Sequence, residues 1–400
     1  MGQNNTNSPY TRFGYGELVD TNSAEQRAMG GVAYALRNKT MINPANPASY
    51  SVVDSTSFMF DLGLTGLLSG FSDSNNNRTL SFTSNFEYIN LQFPITKWLG
   101  FSAGVLPYAF SGYNYYDVDS IQVSDDSANT DYKRYTSSFV GNGAITQLYA
   151  GVGMQFFDFI AIGANAYYMM GGSSNSSSLI FNDNEFSSAT SLQDNAIAVN
   201  SLRFRYGLQL FHTFKTKHEV VLGAVYEHPS PLRGDFTQYN YGIPTDTVSY
   251  NYAFGLPMNL GVGLNYNYDN NLSLFADYMF QNWSDVQYFG KKDSLNNRFK
   301  IAAGVEYIIN PRGNKYVDRM RYRAGFNIHN PYYKLDGATV APKNFGISFG
   351  VGLPLRTTNT MINASFEYGK VGDKSLLRQD YFKLTFNAVF NENWFFKRKL

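Results

Sequence analysis

The sequence lacks cysteine altogether and is poor in charge. With no cysteine among 400 residues, disulfide bonds and thiolate metal sites are excluded. Charged residues make up 16% of the chain, whereas soluble domains usually carry about a quarter. The 32 basic side chains nearly balance the 31 acidic ones, so the charge gives no reason to expect a nucleic-acid partner.

Long apolar runs are missing too. No run of about 18 apolar residues is present, which excludes a membrane-spanning helix. The first residues, Met1 to Asn5, show no signal peptide. We expect them to be the start of a mature chain whose export signal has already been removed.

Aromatic residues are abundant, at 17% of the chain, and many fall in an alternating pattern. The clearest example is the stretch 260–280, in which most alternate residues are apolar and Gly, Asn, Ser or Asp often stand between them. Period two is typical of a strand whose two faces meet different surroundings. Asp269-Asn270-Asn271 interrupts the pattern with residues that tolerate the left-handed backbone of a tight turn. The stretch therefore predicts an antiparallel hairpin with one apolar face.

The same alternation recurs from Ser55 to the end of the chain and gives roughly fourteen strands. A soluble β-sandwich would alternate as well, but the connection lengths favour a barrel. Short connections near residues 97–99, 157–158, 215–217 and 269–271 alternate with long, polar ones near residues 113–136, 171–192 and 228–253. Outer-membrane barrels have short turns at one rim and long loops at the other.

These features predict an all-β protein, namely a transmembrane antiparallel β-barrel of about fourteen strands formed by residues 55–400. The sheet must close, because lipid offers no partner to an unpaired backbone group. We expect the barrel in the outer membrane of a Gram-negative cell, surrounded by outer-membrane lipid. An even strand number places both termini on one side, which we expect to be the periplasm.

Residues 1–54 lack the alternation and are predicted to form a compact N-terminal plug, or hatch. Ser23-Ala24-Glu25-Gln26 resembles a capping box and predicts a short helix that continues to about residues 27–29. Two Asn-Pro pairs follow, and proline excludes a central strand there. The residues that we expect to be wedged inside the barrel are Asn43, Pro44, Asn46, Pro47 and Ala48. A loose exposed tail is the alternative.

Charged residues within the strands stand on the faces opposite the apolar ones. A charge facing lipid would cost about 2–4 kcal/mol at mid-depth, so we expect these side chains to point into the lumen. They are Arg203, Arg205, Asp277, Lys300, Glu306, Arg321, Arg323, Glu367 and Lys383. One interpretation is a polar lumen or a path for an anionic ligand. The other, which we favour, is a lattice of buried ion pairs that holds the plug.

Nothing in the sequence indicates an enzyme. The four histidines, His212, His218, His228 and His329, show no metal-binding spacing, and no Gly-x-Ser-x-Gly elbow between a strand and a helix is indicated. We therefore expect no catalytic residues, no metal site and no cofactor.

Several short motifs resemble the FadL-type family of outer-membrane transporters for long-chain fatty acids and other hydrophobic compounds. They are Ala28-Met29-Gly30-Gly31 with Asn46-Pro47-Ala48, the stretches 93–98 and 104–108, Ala276-Asp277-Tyr278 with Gln281-Asn282-Trp283-Ser284, and the stretch 322–326. The resemblance implies a 14-stranded barrel with an N-terminal hatch, which agrees with the count made from alternation. It implies passive uptake of a hydrophobic ligand. A branch of the same superfamily instead serves as non-transporting barrel subunits of protein-secretion or barrel-assembly complexes, and this remains the alternative, with protein partners in place of a ligand.

Pro107 marks a candidate lateral opening, together with Gly104, Leu106 and Tyr108. By parity with Phe101 and Val105 it lies in a strand and faces lipid. Proline cannot donate to a neighbouring strand, and a closed barrel has no free edge for it. We expect a kink between residues 104 and 110 that leaves a gap in the wall, because members of the resembling family release ligand sideways at such a kink. A harmless bulge near the membrane interface, with Tyr108 as an aromatic anchor, is the alternative.

The expected orientation can be tested with proteases added to intact cells. Cleavage should fall only within the long connections, for example within residues 119–131 or 235–247, because these would face the exterior. Mass spectrometry of the fragments locates the cuts. Cleavage at residues 269–271 would show that the orientation is the reverse.

Overall fold

A computed structural model describes residues 5–74, 77–122, 132–181, 191–241, 246–249, 253–334, 344–355, 360–374 and 377–393. The middle of two predicted long connections, at 123–131 and 182–190, lies outside the described residues. No helix among the described residues is long and apolar enough to cross a membrane.

Fourteen long strands form the wall. In chain order they are β1 Ser57–Asp73, β2 Arg78–Pro94, β3 Leu99–Gln122, β4 Tyr132–Phe156, β5 Ile160–Phe181, β6 Ser191–Phe214, β7 His218–Glu227, β8 Met258–Tyr268, β9 Leu272–Asn282, β10 Arg298–Ile308, β11 Arg321–His329, β12 Asn344–Pro354, β13 Met361–Asp373 and β14 Leu377–Asn393. Short strands lie at Glu17–Leu18, Ser230–Pro231, Gly234–Tyr241, Asp246–Ser249 and Gly255–Leu256. The helices are α1 Ala24–Ala28, α2 Tyr316–Arg319 and the 3-10 helices Pro9–Arg12 and Pro47–Val52.

Each long strand pairs antiparallel with its neighbours in sequence, and the first pairs with the last. The β1–β14 ladder runs from Ser57 opposite Asn393 to Asp73 opposite Leu377. The sheet is therefore closed. The predicted all-β barrel of fourteen antiparallel strands is confirmed.

The β8–β9 hairpin forms as its alternation predicts. Leu260 lies opposite Phe280, and Tyr268 lies opposite Leu272. Asp269 and Asn270 have φ angles of 54° and 57°, in the left-handed region that a tight turn with right-handed strand twist requires. The turn residues thus set the register that puts the apolar residues of both strands on one face.

The outer face of the barrel is apolar along all of the wall. Alternate residues such as Leu260, Val262 and Leu264 are between two-fifths and half exposed, although they are large and hydrophobic. The residues between them are small or polar and mostly buried or half-buried, for example Asn259 and Asn265. An apolar surface of this extent suits contact with lipid, so the sheet is a transmembrane barrel.

Strand lengths differ from the prediction on one side of the barrel. Strands β3 to β6 have 22 to 25 residues each, so most of the stretches 113–136 and 171–192 that were predicted as loops are strand. Gly234–Tyr241 likewise pairs with β6. These Ser-, Asn- and Tyr-rich stretches were wrongly predicted to be loops because they are polar. A strand that extends beyond the apolar belt meets water on both faces and loses its apolar alternation, while it keeps residues with strand propensity.

The N-terminal segment, residues 5–56, folds mostly into turns and short helices. The predicted capping box is present: the Ser23 hydroxyl accepts a hydrogen bond from the backbone of Gln26, and the Gln26 side chain bonds the Ser23 backbone. The helix α1 that follows is buried at all five positions. The predicted short helix is confirmed.

Glycines on the inner face of the wall allow this segment to approach closely. A Cβ at Gly163 would lie 2.4 Å from the carbonyl carbon of Pro47, and one at Gly100 would lie 2.0 Å from the Tyr50 oxygen. No real Cβ contact is that short. The inward glycines are therefore required because backbone packs directly on backbone there.

Replacing Gly163 by alanine tests this packing. Gly163→Ala should lower the free energy of unfolding by about 1–3 kcal/mol, because the segment around Pro47 must move away from β5. Denaturant unfolding of the barrel in detergent micelles measures the change. The matched control is Gly66→Ala, whose Cβ would make an ordinary 3.5 Å contact with Phe82. Equal stability of the two variants would contradict the close approach.

Candidate functional site

The inward-facing charges of β10 and β11 bind the N-terminal segment. Glu306 lies between two arginines, with Oε1 2.9 Å from Nη1 of Arg321 and Oε2 2.7 Å from Nε of Arg323. Nη2 of Arg323 also lies 3.2 Å from Oε1 of Glu25 in α1, and both of these side chains are buried. One guanidinium thus joins a carboxylate of the wall to a carboxylate of the segment.

A second ion cluster lies on β6 and β7. Glu227 accepts from two arginines: Oε2 lies 2.7 Å from Nη2 of Arg203, and Oε1 lies 2.5 Å from Nη2 of Arg205. Arg205 also donates to the carbonyl oxygen of Pro44 over 3.3 Å. The sequence analysis named both arginines but missed Glu227, although it stands on the inward parity of β7.

Asp277 on β9 binds backbone of the segment. Its Oδ2 accepts hydrogen bonds from the backbone N–H groups of Ala33, at 2.6 Å, and Tyr34, at 2.9 Å. A buried carboxylate without a direct cation is stabilised here by two amide donors. The same atom fixes the course of the chain after α1.

Lys300 on β10 pairs with Asp20 of the segment, with 2.6 Å between Nζ and Oδ2. Nη2 of Arg298 lies 3.5 Å from Oδ1 of Asp20. Burial alone would raise the pKa of Asp20, but these two cations more than offset it, so that the pKa lies far below its ordinary value. Asp20 is therefore a charged anchor at any physiological pH.

Glu367 and Lys383 lie opposite each other in the β13–β14 ladder. Glu367 accepts a hydrogen bond of 2.8 Å from the Tyr381 hydroxyl, and the Lys383 ammonium lies 5.7 Å from the centre of the Tyr381 ring. Both side chains line an internal cavity rather than contacting the segment directly.

Arg27 of α1 reaches the place where the barrel closes. Its Nη2 lies 2.8 Å from Oε2 of Glu87 on β2. Its Nη1 also donates to the hydroxyl oxygens of Thr65 on β1 and Thr385 on β14, at 3.3 and 3.2 Å. The two threonines are partners in the β1–β14 ladder. One arginine therefore contacts both the first and the last strand.

The Asn-Pro stretch is buried and bonded to the wall. Asn43 donates to the carbonyl oxygen of Ala33 over 2.7 Å and so holds the segment together. The Pro44 oxygen accepts from Asn165 on β5 at 3.0 Å, and Asn46 donates to the backbone oxygen of Leu208 on β6 at 3.2 Å. The backbone of Pro47 and Ala48 lies against Gly163 of β5.

Cavities remain between the described part of the segment and the wall, and two of them are lined by charged residues. The larger, of about 180 Å³, is lined by charged groups that include Arg27, Glu87, Lys300, Glu367 and Lys383. The smaller, of about 80 Å³, is lined by Arg203, Arg205, Glu227 and Asp277 among others. Apolar and polar surface contribute about equally to both linings, and the polar part includes several charged groups, whereas sites for hydrophobic ligands are lined mainly by apolar side chains.

The end of the lumen away from the short turns is filled by an aromatic cluster. Tyr15 of the segment packs on Phe254 and Trp283, which come from the connections that follow β7 and β9. The Tyr332 hydroxyl accepts from the Tyr15 backbone N–H at 2.8 Å and donates to the Gly16 oxygen at 2.7 Å. These rings are buried, so an apolar core lies between this end of the barrel and the charged residues of the lumen.

The wall has an irregular seam between β2 and β3. Their ladder begins at Pro94 opposite Gly100 and stops at Ile89 opposite Val105, although both strands continue. Just beyond that point each strand carries a bulge against its other neighbour. Glu87 is the extra residue in β2, and Tyr108 is the extra residue in β3. Bulges bend a strand and increase its twist, which accounts for the separation of the two strands.

The candidate opening residues lie at this seam. Gly104 is in the last part of the ladder, opposite Asn90. Leu106 is buried in a cluster with Tyr50 of the segment. Tyr108 lines the smaller cavity, so its expected role as an anchor at the membrane interface is wrong.

Pro107 is buried, and the expectation that its side chain faces lipid is also wrong. Its position opposite Thr146 has the outward parity that the sequence indicates. However, the strand leaves the regular wall there, at the bulge that follows. A bulge bends the strand, so a residue of outward parity beside it is not exposed as it would be in a regular sheet.

Residues 5–19 of the segment line the seam from inside. Glu17 and Leu18 pair with Phe110 and Ala109 of β3, and the Val19 N–H donates to the Tyr108 oxygen at 2.9 Å. Towards β2 the contacts involve side chains. Asn85 donates to the Asn5 oxygen at 2.6 Å, and Asn7 donates to the Ser81 hydroxyl at 2.7 Å.

Sequence reasoning found the wall charges but missed most of their partners. Asp20, Glu25, Arg27 and Glu87 lie in the irregular segment or at a bulge, where no periodicity assigns them a direction. Among the described residues, no group of three or more His, Asp or Glu side chains could hold a metal ion.

Comparisons with known proteins agree with this architecture. The model of the BamG family matches residues 1–400. Three similar solved structures are a FadL homologue of Pseudomonas aeruginosa (TM-score 0.62, 13% identity, covering 94% of this chain and 99% of that one), the toluene transporter TbuX of Ralstonia pickettii (0.59, 15%, 93% and 98%) and the toluene transporter TodX of Pseudomonas putida (0.56, 14%, 94% and 99%). No curated protein matches the chain. At such identities the likeness concerns the fold, and the expected FadL-type barrel of the outer membrane is confirmed.

Removing the cation of the α1 ion cluster tests how firmly the segment is held. Arg323→Met should lower the free energy of unfolding by about 3–5 kcal/mol, because Glu25 remains buried without its cation. Denaturant unfolding in micelles measures this. The control is Lys217→Met, whose pair with Asp269 is exposed to solvent and should contribute little to stability. Similar losses of unfolding free energy for both variants would contradict the role of Arg323 in holding the segment.

Proposed function

The chain belongs to the BamG family, and from this premise we propose that it is a non-transporting barrel subunit of an outer-membrane protein complex. The observation that carries the proposal is that buried ion pairs and hydrogen bonds join the N-terminal segment to inward-facing residues of the wall. Residues 1–54 act as a plug, and the outer wall and long strands are the working surfaces. The kind of complex that we propose is a protein-secretion or barrel-assembly machine, the role implied by resemblance to the non-transporting branch.

The attachment of the segment supports a permanent plug. Buried ion pairs and hydrogen bonds join it to β1, β2, β5, β6, β9, β10, β11 and β14. Breaking a buried pair by separating its partners costs several kcal/mol, since each charge would remain in a poorly solvated place. A transient opening would have to break several of these contacts together.

The polarity of the remaining space supports the same conclusion. An apolar ligand that crossed the lumen would have to desolvate Arg27, Lys300 and Glu367 in the larger cavity without replacing their hydrogen bonds. It would also have to displace the aromatic cluster around Tyr15 and Trp283. The geometry therefore favours a closed barrel over a conduit for hydrophobic molecules.

Conductance measurements test the closed lumen. The intact barrel in a planar bilayer should show no steady conductance, because the segment blocks it. A variant that lacks residues 1–54 should still fold and should conduct. If deletion leaves the conductance unchanged, the segment does not act as a plug.

Purification from native membranes in mild detergent tests the role in a complex. We expect protein partners to copurify in fixed stoichiometry with the intact chain. Recovery of the barrel alone, with lipid as its companion, would contradict this role. The variant Lys217→Met, whose change lies in an exposed turn, serves as the control for losses during purification and should bring down the same partners.

Passive uptake of hydrophobic small molecules with lateral release is the second candidate. The end of the β2–β3 ladder at Val105 and the bulge at Tyr108 favour it, with Gly104, Leu106 and Pro107 at the edge of the opening. Two of the similar structures are described as toluene transporters. A hydrophobic ligand that copurifies in fixed amount, without protein partners, would support uptake instead.

A further inference from the structure

The β3-facing edge of β2 above the seam has no strand partner among the described residues. The ladder to β3 stops at Ile89, and no backbone bond joins residues 79–83 to the described part of the N-terminal segment, residues 5–56. We define residues 79–83 as the open edge. About half of the backbone groups in such a stretch point towards the missing neighbour. In a lipid-facing wall, unpaired backbone groups are strongly unfavourable.

Side chains on the outer face of the open edge are also less covered than elsewhere on the wall. Leu80 is 76% exposed and Phe82 is 66% exposed, whereas Phe326, which lies between two paired strands, is 43% exposed. The difference is the area that a neighbouring strand would cover. Both the backbone and the side chains of the open edge therefore lack the contacts that a neighbouring strand would make.

We propose that the open edge of β2 is a docking site for a β-strand of a second membrane protein. The partner strand adds to the sheet through backbone hydrogen bonds and covers Leu80 and Phe82 with its own apolar face. This inference rests on the proposed function, because it names the surface by which the barrel joins its complex.

Strand direction identifies the partner as a different protein rather than a second copy. Neighbouring strands of this barrel are antiparallel, so the added strand runs in the direction of β3. In a second copy with the same orientation in the membrane, the corresponding edge of β3 is already occupied by Glu17 and Leu18. If a second copy instead offered its own open edge, the two β2 strands would run parallel.

The N-terminal segment prepares the site without filling it. Asn5 and Asn7 bond side chains on the inner face of β2, at Asn85 and Ser81, and among residues 5–56 none forms a backbone bond to residues 79–83. The segment thus holds β2 and β3 apart at a fixed separation and closes the lumen behind the seam. A docked strand would meet a formed edge and would need little rearrangement of the barrel.

Photo-crosslinking in native membranes tests the location. A photoreactive phenylalanine analogue at position Phe82 should give an adduct with one discrete protein. The same analogue at position Phe326, on the far wall, should give none. An adduct with twice the mass of this chain would identify a second copy and overturn the proposal, as would adducts with lipid alone.

Two further measurements separate strand pairing from incidental contact. Phe82→Arg should lower the amount of copurified partner by about tenfold or more, whereas Phe326→Arg should leave it unchanged. Hydrogen exchange of the peptide that covers residues 79–83 should be slow in the complex and fast in the isolated barrel.

The outcomes distinguish this inference from the proposed function. If a complex is recovered but Phe82→Arg does not weaken it and residues 79–83 gain no protection, the barrel is a subunit that docks elsewhere, and the open-edge proposal fails. If the unaltered chain brings no protein partner, the proposed function fails, and the docking site fails with it.

Discussion

Backbone amides and carbonyls cannot remain without partners in lipid, and this constraint shapes the whole wall. It explains why β1 pairs with β14 along its full length, and why all fourteen strands belong to one closed sheet. It also makes the seam between β2 and β3 the exceptional place in the structure. There two bulges, at Glu87 and Tyr108, separate strands that would otherwise satisfy one another.

A closed wall with polar inward faces creates a second requirement, because its charges must be neutralised away from water. The N-terminal segment meets it with carboxylates at Asp20 and Glu25, a guanidinium at Arg27 and backbone groups at Ala33 and Pro44. The wall in turn gives the segment room through glycines such as Gly100 and Gly163. The wall and the segment thus supply partners for each other's charges.

The regular part of this protein could be predicted from its sequence, and the irregular part could not. Alternation in residues 260–280 specified both strands of a hairpin, and Asp269-Asn270 specified its turn, because each side chain there has only two directions to point. Arg203 and Arg205 were placed inward by the same logic, yet their partner Glu227 was overlooked at the end of a short strand. Pro107 was expected to face lipid and is buried, because the strand departs from the regular wall at the bulge formed by Tyr108, which alternation does not reveal. Glu87 lies at the other bulge, and Asp20 and Arg27 have no period to guide an assignment, so their contacts depend on the tertiary fold alone.

The position of Arg27 has a consequence for how the molecule assembles. Its guanidinium bonds Thr65 on the first strand and Thr385 on the last, 320 residues apart along the chain. Of all neighbouring strand pairs in the barrel, these two have the largest entropic cost of loop closure, because they are farthest apart in sequence. The N-terminal segment is synthesised first and binds both strands. By holding them near each other it lowers the entropic cost of closing the barrel. Docking of the segment and closure of the sheet therefore stabilise each other.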